Sequence, residues 1–291
     1  NVALGGSALG SNTTASNNTA IGISAMVANT TGAQNTALGR LALDANTTAN
    51  ENTAIGNSAL GANTEGASNT AVGSGALSAN TTAAHNVAVG DSALLANTTG
   101  TNNTALGKGA AESNVDGDQN VIIGAAANVA ATGGDGANVL GYSVSGAAGY
   151  TTLGNTNDDI RAAHGNTTWA TVSDERVKKD ITDSTAGLSF INDLRPRTFK
   201  YKNKGDLPKD FNGYEEGSTE AYKNSNTNHG FIAQEVKAVI DSHSEITDGF
   251  RMWDVKESGQ QEVGEAAVIP ILVKALQELS AKNDALEARL T

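Results

Sequence analysis

Asn52-Thr53-Ala54-Ile55-Gly56-Asn57-Ser58-Ala59-Leu60-Gly61-Ala62-Asn63-Thr64-Glu65-Gly66-Ala67-Ser68 is one unit of a pattern that decides how the first half of this chain folds. The unit reads Asn-Thr-Ala-Ile/Leu/Val-Gly, then Ser-Ala-Leu, then Ala-Asn-Thr-Thr-Gly. Its leading Asn recurs at Asn1, Asn18, Asn35, Asn52, Asn69, Asn86, Asn103 and Asn120, each step 17 residues long; Asn138 then comes one residue late. A second series, Asn12, Asn29, Asn46, Asn63, Asn80, Asn97 and Asn114, keeps the same step. Self-similarity at a fixed short period signals a stacked repeat architecture.

Large apolar residues occupy two places in each unit. One series is Leu4, Ile21, Leu38, Ile55, Val72, Val89, Leu106 and Ile123; the other is Leu9, Met26, Leu43, Leu60, Leu77 and Leu94. The pattern predicts two short strands per unit, each giving one inward side chain to a β-solenoid coil. Coils would stack about 4.8 Å apart, with like residues above like. Stacked Asn would form hydrogen-bonding ladders at the corners. Helix is opposed throughout by the density of Asn, Thr and Gly. The Asn-X-Thr triplets are read as corner chemistry rather than glycan acceptors.

Such a coil is too thin to bury much alone, which predicts several chains around a shared axis. The repeats resemble the head repeats of trimeric autotransporter adhesins, whose units are usually shorter; the resemblance implies a trimeric β-roll. Composition agrees with thin layers, since the 291 residues include 33 Gly and only 4% aromatic side chains. There is no Cys, which excludes disulfides and thiolate metal sites. A net charge of −12 argues against nucleic acid as a partner. No apolar run approaches the roughly 18 residues of a membrane span, so no membrane insertion is expected. The chain opens in mid-pattern at Asn1-Val2-Ala3-Leu4, which suggests a fragment of a longer protein.

Past Ile123 the pattern decays through Gly133-Gly134-Asp135-Gly136. Residues 142–172 hold the β-like pieces Tyr150–Gly154, Asp159–Arg161 and Thr167–Val172, read as a narrow stem with Trp169 as its packing anchor. Arg40, Lys108 and Arg161 are the basic residues of 1–172, out of 19 Lys and Arg in the chain. The charge shift at Ser173 therefore marks a new domain. Three parts are expected: a repeat shaft at 1–141, a stem at 142–172 and a domain at 173–291. In the last, Leu188–Leu194 reads as a helix closed by Pro196, Arg197–Lys202 as a strand, Asn203–Asn228 as a loop, and His229–Val236 as a strand entering a helix.

Leu272, Leu276, Leu279, Asn283, Leu286 and Leu290 step by alternating fours and threes, the a/d seam of a coiled coil, with Asn283 at an a position. The helix, about 267–291, is expected to clamp a homotrimer, with a helix lying on its own domain as the competing reading. At the head of the domain, Ser173 stands five residues before Lys178. A serine hydroxyl needs a base to become a nucleophile, and lysine serves only when burial makes it neutral. Spacing alone favours a polar turn with Ser173 as an N-cap.

The segment from Ser173 resembles the intramolecular chaperone domain of bacteriophage tail spikes and fibres, the S74 peptidase family. Ser173-Asp174-Glu175-Arg176-Val177-Lys178, Phe199-Lys200-Tyr201, Gly230-Phe231-Ile232-Ala233-Gln234-Glu235 and the helix Pro270–Leu279 carry the resemblance. The family more often has Leu where Val177 stands. The resemblance implies a domain that trimerises, assists the upstream β-structure and then cuts itself off once. Ser173 is the implied nucleophile and Lys178 its base; the sequence leaves open which bond flanking Ser173 is cut, with attack on Val172 by an N→O shift the geometrically easiest. Lys179 falls outside the family spacing.

The expectation is therefore a mainly β trimeric solenoid, then a small α+β domain ending in a coiled-coil helix. It would be a virion tail fibre, assembled in the host cytoplasm as a homotrimer, that meets a host-surface glycan or protein receptor. The rival reading is a trimeric adhesin shaft with a permanent, uncut clamp. No cofactor is expected: His85, His164, His229 and His243 are too far apart in sequence for a metal constellation, and His229 is given a structural role. Asp158-Asp159 and Glu215-Glu216 are read as solvated rather than as a glycosidase pair.

Overall fold

One tripeptide per repeat, centred on alanine, builds the long sheet of the protein. In the computed structural model these are β1 (Val2–Leu4), β2 (Thr19–Ile21), β3 (Thr36–Leu38), β4 (Thr53–Ile55), β5 (Thr70–Val72), β6 (Val87–Val89), β7 (Thr104–Leu106) and β8 (Val121–Ile123). They pair in parallel, each residue opposite the one 17 further on, as Ala54 opposite Ala71. The structure describes residues 1–156, 158–165, 170–171, 173, 175–211, 213–246, 252–255 and 259–290. It divides into two units, Asn1–Val177 and Lys178–Thr291.

The first unit is a β-solenoid of about nine turns. Its interior differs from the expectation in two ways. Each repeat carries one strand, not two: the Ser-Ala-Leu leg is a series of turns in which Ser58 (φ 53°) and Leu60 (φ 52°) are left-handed. Left-handed backbone costs a residue with a Cβ about 1–2 kcal/mol. Leu60 is fully buried, and burying such a side chain contributes about 1.5–3 kcal/mol, which offsets the strain. The second correction concerns direction. The strand's central alanine faces inward, as at Ala37, Ala54, Ala71 and Ala88. Successive strand side chains point to opposite faces, so Thr and Ile/Leu/Val on either side of it point out. Leu38 is accordingly 44% exposed.

Each cross-section is thus filled by two alanines, one leucine and two asparagines. The first Asn column ties turn to turn: Asn52 N–H donates to Asn35 Oδ1 at 2.9 Å, and Asn52 Nδ2 donates to the Gly66 carbonyl at 2.9 Å. In the second column the amides bond each other, Asn80 Nδ2 reaching Asn63 Oδ1 at 2.8 Å and the Ala83 carbonyl at 3.0 Å. Gly56 shows why one position per turn admits no side chain. Its φ is +138°, and a Cβ there would lie 2.3 Å from the Gly73 carbonyl oxygen.

The solenoid runs further than its sequence pattern. β10 (Asn138–Tyr142) pairs in register with β8, Asn138 opposite Val121, so the 17-residue step holds and Asn138 is not late. What fails is the ladder: Ala137 takes the next Asn slot and gives its N–H to Asn120 Oδ1 at 2.8 Å. The second column ends likewise at Asn114, whose buried Oδ1 finds no hydrogen-bond partner among the described residues. Here the second leg does become strand, β9 (Asn128–Val129) pairing with β11 (Ser145–Gly146). The last turn shortens, placing β12 (Tyr150–Asn155) beside β10 with Asn138 opposite Thr151. β13 (Asp158–Ala163) and β14 (Ala170–Thr171) then follow antiparallel on the same sheet. Trp169 lies outside the described residues.

The second unit holds α1 (Leu188–Asp193), β15 (Arg197–Phe199), β16 (Asn228–Gly230), α2 (Ala233–Ser242), β17 (Trp253–Val255), β18 (Gln261–Val263) and α3 (Ile269–Glu287). β15 pairs with β16 and β17 with β18, both antiparallel. A small core of Phe190, Leu194, Val236, Met252, Val268 and Ile271 joins the helices to the hairpin.

If the Asn column holds the coil, Asn69→Ala should weaken it sharply. The change strands the buried Asn86 N–H, now 3.0 Å from Asn69 Oδ1, and leaves the Ala83 carbonyl with Asn80 Nδ2 alone. Each buried group left unpaired costs about 1–3 kcal/mol. Denaturant unfolding should show a loss of that order, whereas Asn57→Ala, on the exposed side of the turn, should leave the midpoint unchanged.

Candidate functional site

The chain leaves the solenoid sheet at β14 and reaches Ser173, which is exposed. A single 3-10 turn, Glu175–Val177, follows, and Lys178 comes next, also exposed. The boundary between the units falls between Val177 and Lys178. Ser173 and Lys178 therefore stand on opposite sides of it, and their pairing as a dyad belongs to the proposal below. Val172, on the other side of the expected cut, lies outside the described residues, as does Asp174. Residues 179–185 run exposed without regular structure, and the chain is first buried again at Ala186 and Gly187.

α1 starts where the chain turns inward. It carries Phe190 and Ile191 toward the core and stops before Pro196, because the residue ahead of a proline is driven to extended backbone. Its first N–H is not capped locally. The Glu278 carboxylate, from the middle of α3, accepts the Leu188 N–H at 2.9 Å. One face of α3 is thereby committed to its own domain, with Ile271 and Ala275 buried. The heptad residues face elsewhere. Leu276 is 64% exposed, Leu272, Leu279, Leu286 and Leu290 are exposed too, and Asn283 reaches Glu287 on the same surface. The helix thus lies on its own domain and still leaves its apolar seam open.

The Phe199-Lys200-Tyr201 and Gly230–Glu235 motifs come together. β15 carries Arg197 opposite Gly230 and Phe199 opposite Asn228. Arg197 Nε donates to Glu235 Oε2 at 2.8 Å, and its Nη2 bonds the other oxygen, fastening β15 to the first turn of α2. This pairing holds the Glu235 carboxyl below its ordinary range. Phe199 packs edge-on to Tyr201 at 5.5 Å, and Tyr201 to Tyr222 at 6.2 Å, with the Lys223 ammonium over the Tyr201 ring. These rings, with His229, Phe231 and Gln234, line an open groove of about 860 Å³ shared with β18. His229 is exposed on β16, and no group of three or more metal-ligating side chains occurs among the described residues.

The model of the S74 peptidase family, described as chaperone of endosialidase, matches residues 173–244. Over these residues the chain is similar to the S74 family. The match opens on Ser173 itself and runs through Lys178, the groove motifs and α2. Similarity to the S74 peptidase family implies self-cleaving activity for the segment. The β17–β18 hairpin and α3 lie beyond the matched residues, and the solenoid lies before them. No curated protein and no solved structure matches the chain.

Three contacts of the S74 unit were not readable in sequence: Arg197 with Glu235, Glu278 with the start of α1, and His243 between two carboxylates. Each includes a partner far away in the chain, although His243 also meets Glu245 two residues on. The only local sign is an acidic residue in the first turn of α2. Glu278→Ala should uncover the Leu188 N–H at a cost of about 1 kcal/mol, the size of a lost helix cap. Hydrogen exchange should then quicken in Leu188–Asp193 and leave the solenoid strands untouched.

Proposed function

We propose that this chain is a bacteriophage tail-fibre or tail-spike segment in which the S74 unit drives trimerisation and folding of the β-solenoid and then releases itself. The observation that carries the reading is the conjunction of an S74 match beginning at Ser173 with a β-solenoid directly before it. Two apolar stripes support trimerisation. One is the outward strand column, where Leu38, Leu106 and Leu140 are each roughly half exposed; the other is the seam of α3. Contiguous exposed apolar surface of this extent marks an association face.

The proposed reaction runs once per chain. Lys178, neutral, takes the proton of the Ser173 hydroxyl, and Oγ attacks the Val172 carbonyl carbon. The Val172–Ser173 C–N bond breaks, the proton passes to the departing Ser173 nitrogen, and an ester between Val172 and Ser173 Oγ remains. Water hydrolyses it, leaving a Val172 carboxylate and a free Ser173 amine. Lys178 is exposed on the single chain. The burial that would strip its proton at neutral pH must then come from neighbouring chains, which makes cleavage conditional on assembly. Once the chaperone has left, the shaft's lifetime is set by its unfolding rate rather than by an equilibrium. The fibre would be carried on the virion, assembled in the host cytoplasm, and would meet a glycan or protein receptor on the host surface.

Denaturing electrophoresis with intact-mass measurement tests the chemistry. The parent chain should yield two fragments meeting between Val172 and Ser173, while Ser173→Ala and Lys178→Ala stay whole. A single uncut chain in all three samples, still trimeric by light scattering, would replace self-release with a permanent clamp. Introducing Leu276→Asp and Leu279→Asp together should convert trimer to monomer and abolish cleavage, although neither residue lies near Ser173 in sequence. Cleavage persisting in a monomer would break the proposed link between assembly and chemistry.

A further inference from the structure

His243 sits where α2 ends, its backbone N–H bonded to the Ile240 carbonyl at 3.1 Å. Its side chain turns inward and is only 8% exposed. The imidazole packs edge-on against Phe190 of α1, ring centroids 5.3 Å apart, and Phe190 is fully buried in the core. Each ring nitrogen faces an acid. Nε2 lies 2.8 Å from Asp193 Oδ2, at the last residue of α1, and Nδ1 lies 2.6 Å from Glu245 Oε1, just past α2. A neutral imidazole has one N–H and can satisfy one of these carboxylates, whereas an imidazolium satisfies both.

We propose that His243 is a protonation latch inside the chaperone unit: as the imidazolium it fastens the C-terminal end of α1 to the C-terminal end of α2, and losing its proton releases that fastening. The latch reaches beyond the two helices it joins. α1 is held at its opposite end by Glu278 of α3, so one six-residue helix connects His243 to the helix that bears the apolar seam. Loosening α1 removes part of the support under the buried face of α3, at Ile271 and Ala275. The seat of the association helix is therefore firmest when His243 is charged. This inference concerns the fold of the unit and does not depend on self-cleavage.

Asp193 and Glu245 are the charged groups that bear on His243 among the described residues. Nearby charges on the packed elements are otherwise engaged: Lys237 pairs with Asp241 on the outer side of α2, and Arg195 acts on Glu235. Hydrogen bonding to Glu245, then to Asp193, holds the His243 pKa above its ordinary 6.5. The same bond holds Glu245 below its ordinary range. The sign follows from linkage. A group whose pKa is higher folded than unfolded gives stability that is complete below about 6.5 and is lost as pH rises through the folded value. Toward acid the latch persists until the carboxylates take up protons.

The test uses the full chain carrying Ser173→Ala, so that it stays whole, with 13C at histidine Cε1. The chain has four histidines, and His243→Gln assigns the fourth resonance. The His243 midpoint should lie above 6.5 and fall toward it in both Asp193→Asn and Glu245→Gln. Amide protection of Leu188–Asp193, corrected for the intrinsic effect of pH, should drop across the same midpoint. The drop is tenfold for each unit by which that midpoint exceeds the unfolded value. A midpoint at or below 6.5, or protection of α1 that does not change across it, overturns the latch. Should His243→Gln fail to fold, the titration of Asp193→Asn decides the question in its place.

Discussion

Backbone hydrogen-bonding groups inside a coil this narrow have almost no alternative partners, and the Asn columns supply them. Backbone bonds between turns serve the strand and much of the bend, as the Leu60 N–H does with the Ala76 carbonyl, but the N–H of each leading Asn is left to the side chain of the Asn one turn before. Asn is short, carries both donor and acceptor, and reaches the next turn from a corner. One Asn per turn accepts, at its side-chain oxygen, the N–H of the turn that follows and gives its side-chain N–H to a carbonyl across the bend, as Asn52 does with Asn69 and Gly66. Burying such groups unpaired would cost a few kcal/mol each. Repeated along the shaft, that penalty exceeds the net stability of a typical domain. The period of 17 is therefore kept by polar necessity more than by apolar packing, which tolerates Met26 for Leu43 and Ile122 for Ala105.

From that constraint the rest of the architecture follows. Asn and Ala fill the cross-section, so the larger strand residues are pushed to the outer face. There they form a column of Ile, Leu and Val that a single chain leaves partly in water. The solenoid is well hydrogen-bonded and poorly covered, a combination that folds slowly and invites wrong pairings, because stacked parallel strands must register over long stretches. A C-terminal unit with its own core and an apolar helix edge is a physical answer to that difficulty. It can fold locally, since α1, α2 and the β17–β18 hairpin close on one another without the shaft. It also presents Leu272, Leu276 and Leu279 outward.

Much of this was legible in the sequence, and the failures have definite causes. The 17-residue step, both Asn columns, α1 before Pro196, the strand-to-helix passage at His229 and the seam of α3 are all written in local spacing. The direction of the strand residues was not. Apolarity suggested that Ile55 and Leu38 face inward, but a pleat alternates, and the interior has room for Ala54 because Asn52 and Leu60 already fill it. The late Asn138 misled for a related reason: the strand kept its register, and Ala137 occupies the asparagine slot at the end of the ladder. Around the S74 unit, position was legible and partnership was not. Glu278 and Leu188 are 90 residues apart, Asp193 and His243 are 50 apart, and nothing in either neighbourhood marks the other.

The placement of Ser173 gives the two halves of the molecule a common logic. It lies at the last stretch of the first unit, while Lys178 opens the second. In the proposed reaction the nucleophile, Ser173, and its base, Lys178, both come from the short connection between the units. Lysine sharpens the condition, because in water it is protonated at neutral pH and cannot act as a base. Histidine in the same role would be partly neutral in any exposed state and could act before assembly finished. A serine and lysine acting as proposed would therefore be slower than serine and histidine, with an activity that depends on burial of the lysine. For the proposed trimeric shaft, that dependence would matter more than rate.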